Sequence, residues 1–97
     1  NPAITAAALT QQSAAYFGLR VDDMCVASRS RLLVTARKIA MYLCRGLTDL
    51  SLPKIGAEFG GRDQTTVMHA DRKIRSLMAV QRSIYNQVTE LTNRIKS

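Results

Sequence analysis

Gly60-Gly61 divides the stretch from Ser51 to Ile74 into two segments, each carrying its own start signal for a helix. Glycine reaches the left-handed conformation at no steric cost, so a helix ends at the pair and the chain turns. Ahead of the pair, Ser51 can accept a backbone N–H, and Pro53 sits in the first turn, where its missing N–H costs nothing. Ile55 and Phe59 are four apart and can share one buried face. Beyond the pair, Asp63 is a good N-cap, and its charge suits the positive end of the helix dipole.

The segment after Asp63 is two-faced. At about 100° per residue, Val67, Ala70, Ile74, Leu77 and Met78 fall on one side. Thr65, Met68, His69, Arg72 and Arg75 fall broadly on the other, with Gln64 at its edge. Short helix, glycine turn and polar-tipped helix together predict a helix-turn-helix, whose second helix can enter a major groove. Its first turn suits base edges: Gln pairs with adenine, Asp accepts from the cytosine amino group, and a Thr methyl meets the thymine methyl. The same pattern also describes an ordinary surface helix with its polar residues outside.

The rest of the chain reads as helix too. Ile4 to Phe17 is one predicted helix, ended by Gly18. Val21 to Cys25 is a short helical turn with acids at its start, and residues 26–30 form a loop with basic edges. Arg31 to Leu47 is the longest helix, with a core stripe of Leu32, Ala36, Ile39, Ala40, Leu43 and Leu47. Gln81 to Ile95 carries Ile84, Val88, Leu91 and Ile95 at three- and four-residue steps. Nothing alternates with period two, so no sheet is predicted. The expected fold is all-α: a compact, Trp-repressor-like helical domain of about five to six helices built around a helix-turn-helix. One domain is expected to fill residues 1–97. A start at Asn1-Pro2 rather than Met suggests a fragment of something longer.

The net charge of +7 is concentrated. Residues 29–82 hold eleven Arg and Lys against four Asp and Glu, while the flanks cancel. Such a basic domain can bind nucleic acid, an anionic membrane or an acidic protein. Arg31, Lys38 and Arg45 recur every seven residues, nearly two turns, and form one stripe opposite the apolar one. Such a row can follow a phosphate backbone, although most charge rows are merely solvated faces. Arg37 lies to one side of it. Cys25 and Cys44 lack metal-ligand spacing and there is a single His, so no metal site is expected and Cys44 reads as a small buried thiol. A reduced cytoplasmic setting fits. His69 has no clear carboxylate or nucleophile partner, so no catalytic residues are assigned. Tyr16, Phe17, Phe59 and Tyr85 are expected in the core or at its edge, and Met41 and Met68 as groove-rim or second-core contacts.

Leu52 to Ile74 resembles the C-terminal DNA-binding domain of the DnaA family, the bacterial chromosomal replication initiators. The family pattern is Leu-Pro-x-Ile-Gly-x-x-Phe-Gly-Gly-Arg-Asp-His-Thr-Thr-Val-x-His-Ala-x-Arg-Lys-Ile, and this chain departs from it clearly at Gln64, where the family has His. Arg29-Ser30-Arg31 and the run Ala40-Met41 to Leu47-Thr48 extend the likeness, which weakens towards both termini.

The resemblance implies binding to double-stranded DNA at DnaA boxes, asymmetric A·T-rich sites of the TTATNCACA kind, at the replication origin. It places Asp63, Thr65 and His69 at major-groove base contacts and Gln64 at another. Pro53 falls at an apolar contact with a thymine methyl, and Arg29 at a minor-groove contact. It makes Arg62, Thr66 and Arg72 phosphate holders, with Arg31, Arg37, Lys38, Arg45 and Lys54 beside them. Phosphate contacts supply register and salt-dependent affinity; base contacts supply specificity. The 97 residues hold no Gly-x-x-x-x-Gly-Lys-Ser/Thr loop, so no cofactor is expected here, and the family's ATP and Mg would belong to a separate portion. Further DnaA protomers, regulatory proteins and, weakly, acidic phospholipids are the other implied partners, in a cytoplasmic, nucleoid-associated setting. The competing readings are a protein-interaction module, an anionic-membrane-binding helix and a generic helix-turn-helix regulator. The first helix has no Lys or Arg on its polar face, which argues against the membrane reading.

Overall fold

In a computed structural model, residues 3–97 are described; Asn1 and Pro2 lie outside the described residues. The described residues fold into five α-helices and one 3₁₀ turn: α1 (Ala6–Tyr16), the 3₁₀ turn (Val21–Cys25), α2 (Arg31–Leu47), α3 (Leu52–Glu58), α4 (Gln64–Val80) and α5 (Arg82–Lys96). Among the described residues there is no strand.

The middle of the fold is α2, against which α4, α1 and α3 all pack. Its buried face is broader than a single stripe: Ala36, Ile39, Ala40, Met41, Leu43 and Cys44 are all within 3 % of full burial. A helix touched from several sides needs apolar residues over more than the usual 100° arc. Met41 is therefore a core residue, not a groove-rim contact.

One stripe residue is corrected. Leu32 is 52 % exposed, and Leu33 takes the inward place at 8 %. Both leucines satisfy three- or four-residue steps to Ala36, so periodicity does not choose between them. The side on which the other helices pack does.

The ends of the elements follow local chemistry. Thr5 accepts from the Ala8 N–H at 3.1 Å, so α1 begins at Ala6 rather than at Ile4. Its threonine hydroxyl is a competent N-cap, and it shortens the predicted helix by a half turn. Ser30 caps α2 and Ser51 caps α3, each by accepting the backbone N–H three residues on. At Gln81 the backbone is extended, and α5 starts one residue later than predicted. The Gln81 N–H donates to the Leu77 carbonyl at 2.7 Å, closing α4 without glycine or proline.

Past Gln81, α5 returns over α4 and α1. Ile84, Val88 and Leu91 are buried, and Ile95 is half-buried at the edge. The Tyr16 hydroxyl of α1 donates to Glu90 Oε2 at 3.3 Å, and the Arg94 guanidinium lies 5.0 Å over the same ring. Phe59, at the end of α3, is fully buried and joins α3 to the common core. The outcome is a packed base of α1, α2 and α5 against which α3 and α4 sit.

Candidate nucleic-acid interface

The turn between α3 and α4 is built on close backbone approach. Gly60 and Gly61 have φ of +86° and +76°, the left-handed region that favours glycine. A Cβ on Gly60 would lie 2.2 Å from the Cys25 carbonyl oxygen, so the turn rests directly on the end of the 3₁₀ segment. A Cβ on Gly56 would lie 2.0 Å from the Arg62 carbonyl oxygen, and the Arg62 N–H donates to the Gly56 carbonyl at 3.0 Å. The chain after the turn thus folds back against α3 before α4 begins.

At the start of α4, Asp63 Oδ1 accepts the Thr66 backbone N–H at 3.0 Å and the Thr66 hydroxyl at 3.1 Å. These two bonds hold the Asp63 carboxyl below the usual carboxylate range against an opposing effect of desolvation, with still weaker help from the Thr65 N–H and from His69. Asp63 is ionised and acceptor-only, with Oδ2 left for another donor. Both protons that Thr66 can offer are committed to Asp63. A phosphate contact from Thr66 requires its hydroxyl to turn away from the cap.

Gln64, Thr65, Met68, His69 and Arg72 are exposed along the first two to three turns of α4, while Val67, Ala70 and Ile74 anchor its inner face. Pro53 and Lys54 are exposed on the first turn of α3. The two helices of the motif therefore present every predicted residue of theirs to solvent except Arg62, which is half-buried.

Arg29 and Arg31 are exposed at the mouth of α2, in and just after the loop at 26–30. Ser28 orders this loop by accepting the Ser30 N–H at 3.0 Å. The Val26 carbonyl oxygen accepts from Arg37 Nη1 at 2.9 Å and from Arg62 Nη2 at 3.3 Å. One acceptor thereby ties the basic loop to α2 and to the entrance of α4. Burial, and then repulsion from Arg62, draws the Arg37 guanidinium below its usual range.

Farther along the stripe, Lys38 is half-buried and Arg45 is exposed. Arg45 is not free-standing: its Nη1 bonds Asp71 Oδ2 at 3.1 Å, and the same oxygen takes Arg75 Nε at 2.9 Å. Asp71 is 5 % exposed and is the buried acid of the domain. Residue order did not single it out. Its spacing of four to Arg75 is a visible signal; its pairing with Arg45 on another helix has none. Leu32, which the pattern placed in the core stripe, is instead an exposed apolar residue next to Arg31 in the chain.

Capped α4 on its glycine turn, packed on the other helices with a basic loop fastened beside it, defines a helix-turn-helix domain with an exposed cationic surface. The family described as "Bacterial dnaA protein helix-turn-helix" matches residues 7–74. The chain belongs to that family. It is 66 % identical over 93 residues to "Chromosomal replication initiator protein DnaA" of Cutibacterium acnes, covering 96 % of this chain and 19 % of the relative. It is 68 % identical over 84 residues to the protein of the same name from Leifsonia xyli subsp. xyli, covering 87 % and 18 %. The Clavibacter sepedonicus protein of that name is 65 % identical over 88 residues, covering 91 % and 18 %. The chain thus spans less than a fifth of the length of these relatives.

Proposed function

We propose that this chain binds duplex DNA sequence-specifically at DnaA boxes and serves chromosomal replication initiation by bringing its parent protein to the origin. The observation that carries the reading is the start of α4. An ionised Asp63, Gln64, Thr65 and His69 stand exposed there in one capped, glycine-oriented helix of a family whose relatives are named as replication initiators.

The mechanism proposed here takes its contacts from the family resemblance, and the exposure of the base-reading side chains supports it. α4 enters the major groove by its N-terminal turns, where Asp63 accepts from a cytosine amino group and the Thr65 methyl meets a thymine methyl. His69 and Gln64 contact neighbouring base edges, and Pro53 adds apolar contact. Glutamine is neutral and differently shaped from imidazole, so Gln64 sets a preference of its own at one base pair. Arg29 enters the adjacent minor groove, where narrow A·T-rich DNA concentrates negative potential. Arg31, Arg37, Lys38, Arg45, Lys54, Arg62, Thr66 and Arg72 hold phosphates and supply the salt-dependent part of the affinity. An asymmetric box takes one domain as a monomer, and repeated boxes gather many initiators. ATP and Mg chemistry, contacts between protomers and regulatory partners belong to the wider protein, acting in the cytoplasm on the nucleoid.

Fluorescence anisotropy tests this with a labelled duplex carrying one box, a scrambled duplex of equal composition, and two salt concentrations. A preference on the order of 10³-fold or more supports it. Equal and steeply salt-dependent binding would reduce the cationic face to an electrostatic clamp. Among the described residues no helix is long and apolar enough to cross a membrane, and the exposed side of α1 carries Ala and Gln without Lys or Arg. Co-sedimentation with anionic vesicles stronger than with DNA would favour the surface-binding alternative.

A further inference from the structure

We infer that Arg62 and Arg37 act as positioning residues for base reading: by sharing the Val26 carbonyl, they set where Arg29 stands relative to α4 before DNA arrives. The inference rests on the proposed reading of DNA by the loop and α4, and it adds residues that govern specificity without touching a base.

Four observations converge on the same few atoms. Arg37 Nη1 and Arg62 Nη2 both donate to Val26 O, at 2.9 and 3.3 Å. Cys25 Sγ lies 3.6 Å from the Glu58 carbonyl oxygen, across the same junction. Gly60 packs against the Cys25 carbonyl so closely that a Cβ would stand 2.2 Å from it. Arg62 Nε is buried without a partner. Two like-charged guanidiniums on one neutral oxygen repel each other, and a buried unpartnered N–H costs desolvation. Two arginines serving phosphates alone need neither arrangement.

What the convergence achieves is register. Val26 stands three residues before Arg29, and the Ser30 N–H donates to Ser28 Oγ across Arg29 itself. Arg62 stands immediately before Asp63, the cap from which the reading helix starts. The carbonyl therefore links the two reading elements by one short path. With the link made, a box must present its minor-groove and major-groove features at one fixed spacing. Without it, the loop can adjust to several. Pre-organisation of this kind raises affinity for the matching site by removing the ordering cost at binding. Each guanidinium has five N–H groups and spends one on Val26, so phosphate contact remains open to both.

Lysine keeps the charge of arginine but has no fork with which to reach the carbonyl in the same geometry. The test is a double-mutant cycle on this chain with Arg29→Ala and Arg62→Lys, read by anisotropy on box and scrambled duplexes, with backbone amide dynamics of residues 27–30 measured by NMR in the free protein. The expected result is that Arg62→Lys lowers the box-to-scrambled ratio about tenfold and increases loop motion. Arg29→Ala should lose about tenfold on the box in the otherwise unchanged chain and less than about threefold after Arg62→Lys, the non-additivity of two residues in one network. Losses that multiply, or an Arg62→Lys loss equal on both duplexes, would overturn the inference and leave Arg62 as a phosphate holder. A parent chain with no box preference would sink the reading of DNA and this inference with it, a result distinguishable from multiplying losses on a chain that does discriminate. If Arg62→Lys does not fold, Arg37→Lys takes its place in the cycle: coupled losses support the inference and multiplying losses overturn it.

Discussion

Arg45 and Asp71 join α2 to α4 through a 3.1 Å bond between Nη1 and Oδ2, and Arg75 closes on that same oxygen at 2.9 Å. The carboxylate side chain is 7 % exposed, whereas the arginines are 44 % and 68 % exposed. Water screens the cations, so the pair stabilises modestly, and Asp71 offsets part of the Arg45 charge. Asp71→Asn is expected to cost about 1 kcal/mol and lower Tm by roughly 4–8 °C. It should also steepen the salt dependence of binding by about one unit, because Arg75, released from the carboxylate, becomes a further cation available to phosphate. Calorimetry and binding at several salt concentrations check this; an unchanged Tm and slope would mean the pair does neither.

In the proposed complex with DNA, Thr65 reads and Arg31 holds. Both are exposed, one on the reading turn of α4 and one at the start of α2. Thr65→Ala should cost about 1–3 kcal/mol on the box and little on random DNA. Arg31→Ala should weaken all sequences alike and flatten the salt slope by about one unit. Competition binding with both duplexes decides it, and similar behaviour of the two variants would contradict the division.

The acid limb of stability carries the signature of Asp63. Its folded pKa lies below the ordinary value of 3.8, chiefly through the Thr66 backbone bond and then the Thr66 hydroxyl. The unfolded chain binds the proton more readily, so the cap's contribution is present above pH 3.8 and is lost as pH falls through the lower folded value. Asp63→Asn keeps an acceptor at the cap but removes the titration. Thermal melts from about pH 5 down to about pH 2 should therefore fall less steeply for the variant; identical slopes would remove Asp63 from the account.

The two cysteines should react very differently. Cys44 is fully buried, and burial, with a lesser contribution from Glu58, pushes its thiol up to about 12. Cys25 is exposed. A thiol reagent at neutral pH should label Cys25 in the native protein and reach Cys44 only after denaturation. Because the folded thiol ionises later than the ordinary 9.0, the unfolded chain binds fewer protons above that pH, and stability should fall as pH rises from 9.0 towards 12. Cys44→Ala should lessen that alkaline slope and leave the part due to Tyr16, whose hydroxyl is also raised by burial and by Glu90; an unchanged slope would remove Cys44 from the account.

Gly60 and Gly61 differ in what surrounds them. Both hold positive φ, but only Gly60 faces an atom, the Cys25 carbonyl oxygen, whereas a Cβ on Gly61 meets nothing within 4 Å. Gly61→Ala should cost about 1 kcal/mol for the backbone conformation alone. Gly60→Ala should cost more, because the junction must also open. Urea midpoints measure the difference, and equal midpoints would show that the contact yields freely.

Much of this architecture is legible in residue order because its causes act within a few positions. The hydroxyl of Ser51 and the carboxylate of Asp63 need only the N–H three residues on, so both caps lie where the residue types put them. Arg31–Leu47 keeps the bounds that its pattern predicts, and Gly60-Gly61 turns as two adjacent glycines should. The start of α1 falls two residues later than its apolar residues suggest, because Thr5 caps it, and that signal is equally local.

Other features depend on groups that meet only after the helices dock. Leu33 rather than Leu32 points inward because of where the neighbouring helices pack, which a periodicity of 3.6 leaves open. The break at Gln81 uses no helix-breaking residue; burial of Ile84, Val88 and Leu91 against the rest of the core compensates for it. Arg45 meets Asp71 twenty-six positions away. Arg37 and Arg62 meet at a main-chain oxygen, and a backbone carbonyl leaves no trace in residue type. Short-range hydrogen bonds and φ preferences thus made the helices and the turn readable one residue at a time, while the spacing of the loop from α4 arose from long-range packing, because it depends on atoms that every residue possesses.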